Sequence, residues 1–299
     1  MVPSRRSPWP ALAFALACSA CACRGPRPER ADAGPAPLAA SAAASAAGEA
    51  PPGAAGEAPP GSSAARSAPA EAPPAAPRAS GPFELPFAKG RTVYFAVPPR
   101  PGGPRRLIAN LHGMCNPPSY ACGYWLNAGT ERGFVVCPTG NASCGPGAYN
   151  APTWTSGAAQ MGDDLERAVA AVEAAYPGEL SPEGAILTGF SKGGYAAPAI
   201  AARTPGRFAY LLINEADVAL DAASLRKAGV RAVALVAGEL GSQLAGERRT
   251  AARLRAQGFP AKVWVMPKAG HHYSADIDAI MADALDWLVS HDGARLSPD

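Results

Sequence analysis

The large apolar residues of this 299-residue chain are unevenly distributed, and this distribution determines which part of the chain can fold. From residue 31 to residue 82 the only large aliphatic residue is Leu38, and Val, Ile, Met, Cys and aromatic residues are all absent. A stretch of Ala, Pro, Gly and Ser buries too little apolar surface to offset the entropy lost on ordering. Only residues 83–288 can form a core, and about 210 residues suit one domain.

The N-terminal residues have the pattern of an export signal. Arg5 and Arg6 precede an apolar run, residues 9–17, which is too short to span a bilayer and is followed by small residues. We therefore predict four parts: an export signal over residues 1–23, a disordered linker over 24–82, a folded domain over 83–292 and a tail over 293–299.

Three cysteines follow this apolar run. Ala15-Leu16-Ala17-Cys18 resembles a bacterial lipobox, in which a small residue precedes the cysteine that is lipidated and becomes N-terminal after cleavage. The resemblance implies a lipid anchor on Cys18, with Cys21 as the alternative, and hence a membrane-anchored lipoprotein of the cell envelope. Cleavage without lipidation, which would release a secreted protein, is the competing interpretation.

The charge distribution argues against a nucleic-acid partner. Five of the 27 basic residues, but only one of the 24 acidic residues, lie within residues 1–30, so the rest of the chain is nearly neutral. A nucleic-acid-binding domain typically carries a basic surface. We therefore predict no nucleic-acid partner, and the sequence does not indicate an oligomeric state.

The predicted domain contains four cysteines, Cys115, Cys122, Cys137 and Cys144. Export would bring them to an oxidising compartment, so we predict two disulfides, for which three pairings are possible. Pairing of sequence neighbours would close short loops, whereas cross-pairing would join two loops that lie side by side. A zinc site is disfavoured because the spacing lacks a Cys-x2-Cys pair and no histidine follows at the required distance. We predict no metal.

Strand-like and helix-like segments alternate from residue 91 onward. Short runs of Val, Ile and Leu without strict alternation are typical of strands buried on both faces of a sheet. Amphipathic segments lie between them, and this order predicts an α/β fold with a mostly parallel sheet flanked by helices. The predicted strands are residues 91–97, 106–111, 134–137, 185–190, 208–213, 232–237 and 262–266. The predicted helices are residues 161–176, 194–203, 222–227, 243–257 and 275–289.

The most informative motif is the G-x-S-x-G pattern of residues 189–193 (GFSKG), which lies between a predicted strand and a predicted helix. Glycines at its ends allow a tight turn in which the backbone approaches its neighbours closely. Such a turn would expose the Ser191 hydroxyl at the carboxyl edge of the sheet. The N-terminus of the following helix would direct amide donors and a positive dipole toward an oxyanion there. The pattern predicts a nucleophilic serine.

With this motif the chain resembles the α/β-hydrolase family, and the resemblance covers residues 83–290. The most similar members of that family are secreted esterases of the polyhydroxyalkanoate depolymerase and feruloyl esterase type. Residues 110–114 (NLHGM), at the end of a predicted strand, resemble the His-Gly oxyanion loop of that family. The resemblance implies an α/β-hydrolase fold and an oxyanion hole made by the backbone amides of Met114 and Lys192. It also implies that His112 braces this loop and takes no proton.

The resemblance implies a general base in the loop after the last strand. The family places its histidine directly after a glycine, and in Gly270-His271-His272 this indicates His271, with His272 as the alternative. A base is needed because a serine hydroxyl is barely ionised near neutral pH, so its proton must be accepted during attack.

The third member of the expected triad departs from the family pattern. The family order is Ser, acid, His, and the acid usually lies three residues after Gly238, where this chain has Gly241. Glu239 is the nearest carboxylate and our first choice. Glu215 or Asp217, after the preceding strand, are the alternatives, and a site that lacks an orienting acid is a third possibility.

Aromatic residues of the loops at the carboxyl side of the sheet indicate a substrate pocket formed by Trp125, Tyr149 and Trp154. Packing of the loops is the alternative role for these residues. No long insertion precedes the helix predicted over residues 222–227, so we predict little or no lid and a site open to a small-molecule or polymeric ester. The predicted function is a carboxylic-ester hydrolase without a cofactor. A peptidase or amidase of the same fold and a non-catalytic surface binding protein are the alternatives.

Overall fold

The structure is a computed structural model, and it describes residues 79–145 and 151–293. In this described part, no helix is both long enough and apolar enough to cross a membrane. Several predictions concern residues outside it: the export signal, the candidate lipidation sites Cys18 and Cys21, the linker up to residue 78, Tyr149, and the tail beyond Gly293.

Within the described residues, eight strands form one central sheet and two short strands form a separate pair. The strands are β1 (Phe83–Ala88), β2 (Arg91–Ala96), β3 (Arg105–Leu111), β4 (Gly133–Pro138), β5 (Ala142–Ser143), β6 (Pro152–Thr153), β7 (Leu180–Phe190), β8 (Tyr210–Asn214), β9 (Ala232–Gly238) and β10 (Ala261–Met266). The order across the central sheet is β1-β2-β4-β3-β7-β8-β9-β10. All pairs from β4 to β10 are parallel, whereas β2 runs antiparallel to both β1 and β4.

Helices of the described part connect these strands. They are α1 (Pro118–Tyr124), α2 (Leu126–Thr130), α3 (Ala158–Ala175), α4 (Lys192–Arg203), α5 (Ala222–Lys227), α6 (Leu244–Ala256) and α7 (Ile277–Val289). Only residues 215–221 separate β8 from α5, so this connection holds no lid domain.

Alternate residues of the central strands enter two separate cores on the two faces of the sheet. From β3, Leu107 and Ala109 pack on the face covered by α3, α4, α5 and α6, while Ile108 packs on the face covered by α1, α2 and α7. Burial on both faces explains why these strands are continuous apolar runs in the sequence. The predicted α/β fold with a mostly parallel sheet between helices is confirmed.

The structure adds elements that the sequence patterns do not predict. β1 extends the sheet at its edge, and α1 and α2 fill the connection between β3 and β4. β7 begins at Leu180, five residues before the predicted strand, and pairs with β3 on both sides of an irregularity at residues 106–108.

Both disulfides are cross-paired. Cys115 is joined to Cys144 and Cys122 to Cys137, with Cα atoms 5.6 and 6.0 Å apart. They connect the segment after β3, including α1, to β4 and the segment that follows it. Two loops beside the carboxyl edge of the sheet are therefore tied together, as cross-pairing requires.

Candidate active site

Ser191 lies in the turn between β7 and α4. Its backbone (φ 51°, ψ −115°) is in a left-handed region that is strained for a residue with a side chain. The Ser191 amide donates a hydrogen bond to the Asn214 carbonyl (2.9 Å), and the Ser191 carbonyl accepts one from the Tyr195 amide (2.9 Å). The neighbouring strand and the first helical turn therefore hold the strained residue from both sides.

Two glycines allow this turn because backbone groups meet there directly. A Cβ on Gly189 would collide with the backbone of Gly193, and a Cβ on Gly193 would collide with the carbonyl of Leu111 at the end of β3. Close backbone approach, the reason the sequence pattern suggested, is therefore what the two glycine positions of the motif require.

His271 lies in the loop after β10 and faces Ser191. Its Nε2 is 2.9 Å from Ser191 Oγ, and its ring packs against the ring of Phe190 with centroids 5.1 Å apart. The His271 side chain is 46% exposed, so a substrate can reach it. His272 is turned away, with its Nδ1 3.0 Å from the Tyr273 carbonyl oxygen. Of the two candidate bases, the structure brings His271 to the serine.

Glu215, directly after β8, completes a row of three side chains. It is fully buried, and its Oε2 lies 3.0 Å from His271 Nδ1. Its Oε1 accepts a hydrogen bond from the Gly238 amide. The Glu215 backbone is left-handed (φ 53°), and its amide donates to the Val236 carbonyl (2.9 Å). A buried carboxylate held in this way has the geometry to orient an imidazole whose other nitrogen faces a serine.

The first choice for the acid, Glu239, is wrong on this geometry. Glu239 is exposed, and its Oε2 accepts a hydrogen bond from the Lys268 amide (2.9 Å) in the loop before the histidine. Gly241 leaves room for a carboxylate that comes from the end of β8. A Cβ at Gly241 would lie 3.1 Å from Glu215 Oε2, so the Glu215 carboxylate occupies the space where a side chain from position 241 would extend.

The other alternative acid, Asp217, is exposed and accepts a hydrogen bond from the Tyr195 hydroxyl (2.5 Å). Burial of the phenol, followed by this contact, raises the pKa of Tyr195. Among the carboxylates weighed from the sequence, the structure therefore places Glu215 alone against His271.

His112 is fully buried behind the loop that follows β3. Its Nε2 accepts a hydrogen bond from the Gly140 amide (2.9 Å), so the ring proton is on Nδ1, which donates to the Gly113 carbonyl (2.7 Å). Burial lowers the pKa of His112 to about 4, which keeps the ring neutral. The structure thus gives His112 contacts to the loop backbone and none to the row of three side chains.

Of the two predicted oxyanion donors, Lys192 follows Ser191 directly, and Met114 follows Gly113, which packs against Ser191. Lys192 is the first residue of α4, where backbone amides have no carbonyl partner within the helix. In a trans peptide the carbonyl and the following amide point in opposite directions. The hydrogen bond from His112 to the Gly113 carbonyl therefore turns the Met114 amide away from the buried ring. Gly113 itself is packed against Ser191, since a Cβ there would lie 3.3 Å from the Ser191 Cβ.

The predicted aromatic pocket is wrong for Trp125 and Trp154, both of which are buried. Trp125 is fully buried in the core beside α7. Trp154 is 2% exposed, stacks on the His112 ring at 4.9 Å and donates its Nε1 proton to the His112 carbonyl. Both rings therefore support the loops and do not line a pocket, because their large apolar surfaces pack more favourably under the loops than against water. Tyr149 lies outside the described residues.

Glu247, on α6, is a buried acid near the site that the sequence analysis missed. Its Oε1 accepts a hydrogen bond from the Ala216 amide (3.0 Å), next to Glu215. Burial, followed by the charges of Glu215 and Asp217, raises the pKa of Glu247 to about 9. The spacing of Leu244, Glu247, Ala251 and Leu254 along the apolar face of the helix could have signalled its burial.

No three or more His, Cys, Asp or Glu side chains of the described residues cluster in a way that could hold a metal ion. A cavity of about 1130 Å³ lies at the opposite, amino edge of the sheet, where it is lined by Arg106, Gly184, Arg231 and Asp292 among others. Its Arg106 and Asp292 already form an ion pair (2.5 Å). The cavity is therefore separate from the row of side chains at the carboxyl edge.

No protein-family model matches this chain, and no curated protein matches it. Solved structures do resemble it. A mutant feruloyl esterase module from Clostridium thermocellum, complexed with sinapinate, is 15% identical, covers 72% of this chain and 89% of its own, and superposes with a TM-score of 0.52. Est1E from Butyrivibrio proteoclasticus is 11% identical, covers 72% of this chain and 100% of its own, with a TM-score of 0.52. At these identities the likeness establishes the fold, and the predicted α/β-hydrolase fold is confirmed.

Proposed function

We propose that this protein is a serine hydrolase that cleaves carboxylic esters through a covalent acyl-enzyme. The observation that carries the proposal is the row in which Ser191 Oγ lies 2.9 Å from His271 Nε2 and His271 Nδ1 lies 3.0 Å from Glu215 Oε2. A serine hydroxyl alone is a weak nucleophile, and this row supplies the base and the orienting carboxylate that activate it.

The reaction begins when Ser191 Oγ attacks the ester carbonyl carbon while His271 Nε2 accepts the hydroxyl proton. The carbonyl oxygen becomes an oxyanion, which the amides of Met114 and Lys192 stabilise. The C–O bond then breaks, and His271 returns the proton to the leaving alcohol. A water molecule attacks the acyl-enzyme with His271 again as base, which releases the acid and restores the Ser191 hydroxyl. Glu215 orients the His271 ring and stabilises its positive charge throughout.

The surface near Ser191 favours substrates with apolar groups. Among the described residues, four large apolar side chains are exposed: Met114, Tyr120, Tyr195 and Leu240. Met114 follows Gly113 in the loop beside Ser191, Tyr195 is in the first turn of α4, and the Leu240 amide bonds the Ala269 carbonyl two residues before His271. An open apolar surface of this kind supports small-molecule or polymeric esters in preference to charged substrates.

Export and lipid anchoring are part of the proposal. The pattern of residues 1–23 supports an export signal, and the two disulfides of the folded domain suit an oxidising compartment. Metabolic labelling with a fatty-acid analogue tests the anchor: Cys18→Ser loses the label and Cys21→Ser keeps it. The opposite result would move the anchor to Cys21, and an unlabelled wild-type protein in the medium would indicate simple secretion.

A fluorophosphonate probe tests the nucleophile directly because it reacts only with an activated serine. We expect the wild-type protein to be labelled and to hydrolyse p-nitrophenyl acetate, and Ser191→Ala to lose both. Ser181→Ala, at the amino end of β7, is the matched control and keeps both. A folded wild-type protein that is neither labelled nor active would favour the non-catalytic binding protein.

Two kinetic comparisons narrow the class of substrate. Hydrolysis of aminoacyl amides at rates that rival those of the matching esters would favour the peptidase or amidase alternative. A series of p-nitrophenyl esters with rising acyl length tests the apolar surface. We expect Leu240→Ser to raise KM for the long esters only, and Leu240→Met, which keeps the apolar side chain, to behave like the wild type.

A further inference from the structure

A second buried carboxyl group lies directly behind the acid of the proposed triad. Glu247 lies on the inner face of α6 and is fully buried. Its Oε1 accepts a hydrogen bond from the Ala216 amide, with the two atoms 3.0 Å apart. Its Oε2 has no hydrogen-bond partner in the described part of the chain. The mechanism above does not use this group, although a buried and incompletely bonded carboxyl destabilises a fold.

The position of this hydrogen bond suggests what it does. Glu215 has a left-handed backbone (φ 53°), which is uncommon for a residue other than glycine and persists only where its surroundings hold it. The Glu215 amide is held by the Val236 carbonyl, and its side chain by the Gly238 amide. The Ala216 amide belongs to the next peptide unit. By accepting its hydrogen bond, Glu247 provides a third contact that holds the same turn.

Burial and the charges around it keep Glu247 protonated. Burial and the carboxylates of Glu215 and Asp217 raise the pKa of Glu247 to about 9. Tyr195 from α4 also faces this group, and its hydroxyl donates to Asp217. Glu215, by contrast, accepts hydrogen bonds with both oxygens, which suits the carboxylate form. Glu247 therefore keeps its proton beside the Glu215 side chain.

We propose that Glu247 is a positioning residue that, as an uncharged acid, fixes the turn presenting Glu215 to His271 and releases that turn when it ionises. The inference rests on the proposed hydrolase function. Ionisation would place a second negative charge next to the buried Glu215 carboxylate, and repulsion between the two would displace the turn. The loss of activity at alkaline pH would then come from ionisation of Glu247 on α6, and not from the three side chains of the proposed triad.

Two substitutions separate the acceptor from the charge. Glu247→Gln keeps a carbonyl oxygen for the Ala216 amide and cannot ionise, so we expect its kcat at pH 7 to lie within about twofold of the wild type. We expect the wild-type kcat to decline through pH 9 and that of Glu247→Gln to persist beyond it. Glu247→Leu removes the acceptor at similar volume, and we expect kcat to fall by about 10- to 100-fold with KM little changed, because the misplaced acid acts in the transition state.

Thr250→Val is the matched control. Thr250 is buried one turn further along α6, and its hydroxyl donates to the Val218 carbonyl (3.1 Å), also in the connection after β8. We expect kcat of this variant to decline at alkaline pH as it does in the wild type. The variant loses one hydrogen bond to the segment after β8 but keeps Glu247.

The outcomes distinguish this inference from the function on which it rests. A wild-type protein without labelling or hydrolysis overturns the proposed function and this inference with it. An active wild type overturns the inference alone if Glu247→Gln keeps the alkaline decline, or if Glu247→Leu matches the wild-type kcat. Because Glu247→Gln is isosteric, its pH profile decides the question even if Glu247→Leu does not fold.

Discussion

At the scale of single residues, the acid of the proposed triad depends on one missing side chain. Gly241 leaves open the space that the Glu215 carboxylate fills, since a Cβ there would lie 3.1 Å from Glu215 Oε2. The other carboxylate near this strand end, Glu239, is occupied by the Lys268 amide. In the proposed triad the acid therefore comes from the end of β8 and not from the loop after β9, and it faces Nδ1 of His271.

We predict that Glu215→Gln lowers kcat strongly and that Glu239→Gln does not. An amide at position 215 would no longer stabilise the protonated His271 ring, and loss of the acid in a comparable triad costs on the order of 10⁴-fold in kcat. Glu239 contacts only the loop backbone, so its variant should remain within about twofold of the wild type. Steady-state kinetics on one p-nitrophenyl ester measures both. Equal losses in the two variants would contradict the assignment.

We further predict that an aspartate at position 241 can replace the Glu215 carboxylate. In Glu215→Ala the carboxylate is lost, and a second change, Gly241→Asp, would extend a new one into the vacated space beside His271 Nδ1. We expect the double variant to recover at least about tenfold in kcat over Glu215→Ala. Gly241→Asp alone is the control and should be impaired, because two carboxylates would then compete for one space. Failure of the double variant to exceed Glu215→Ala would refute this geometry.

The sequence specifies some site residues better than others. Ser191 and His271 follow from local patterns, a G-x-S-x-G turn and a glycine before a histidine, that form in one segment of chain. The acid depends on which of several strand-end carboxylates turns inward, and this is decided by contacts between β8, β9 and α6. A single sequence does not contain those contacts. Trp125 and Trp154 were misassigned for the same reason, since an aromatic residue in a loop can pack beneath it or line a pocket.

At the scale of elements, the two disulfides have different roles. Cys115 follows Met114 directly and is joined to the exposed Cys144, so this disulfide restrains the loop of one proposed oxyanion donor. Cys122 and Cys137 are buried between α1 and β4 in the core. One disulfide therefore belongs to the site and the other to the fold.

We predict that the two disulfides can be separated by paired substitution to alanine. Loss of Cys115–Cys144, whose partners are 29 residues apart, should lower kcat by about tenfold because the Met114 amide becomes mobile, and should lower the free energy of unfolding by about 3.5 kcal/mol. Loss of Cys122–Cys137, whose partners are 15 residues apart, should lower the free energy of unfolding by about 3 kcal/mol and leave kcat nearly unchanged. Urea titration and ester hydrolysis measure the two effects. A reversed pattern would contradict this division.

Among the elements, the interior of the sheet was the most predictable part. β4, β8 and β9 are buried along their whole length, and such strands need continuous apolar runs that stand out in a sequence. β1 was missed because it is an edge strand with partly exposed residues and an internal proline. The helices α1 and α2 have seven and five residues, too few for an apolar periodicity to be recognised.

At the scale of the whole molecule, two buried titratable groups link the site to the stability of the fold. His112 has a pKa lowered to about 4 by burial, and Glu247 has one raised to about 9, from ordinary values of 6.5 and 4.5. Both are uncharged in the folded protein near neutral pH and charged in part or in full in the unfolded chain. Folding therefore changes proton binding at each group, in opposite directions.

This linkage predicts a stability maximum between about pH 4.5 and pH 6.5. Above pH 6.5 only Glu247 contributes: the folded protein keeps a proton that the unfolded chain loses, so stability falls by about 1.4 kcal/mol per pH unit until pH 9. Between pH 4.5 and 6.5 the unfolded chain gains a proton at His112, and the two slopes cancel. Below pH 4.5 the His112 effect remains, and stability falls with decreasing pH.

Urea unfolding of the wild type and of Glu247→Gln from pH 4 to pH 9 tests this profile. We expect Glu247→Gln to lose the decline above pH 6.5, because glutamine cannot ionise in the unfolded chain, while the decline toward acidic pH, no longer offset by Glu247, begins at about pH 6.5. The difference in unfolding free energy between the two proteins should therefore grow with pH in favour of the variant. A difference that stays constant from pH 6.5 to pH 9 would mean that Glu247 is charged in the folded protein, which would contradict the raised pKa on which this profile depends.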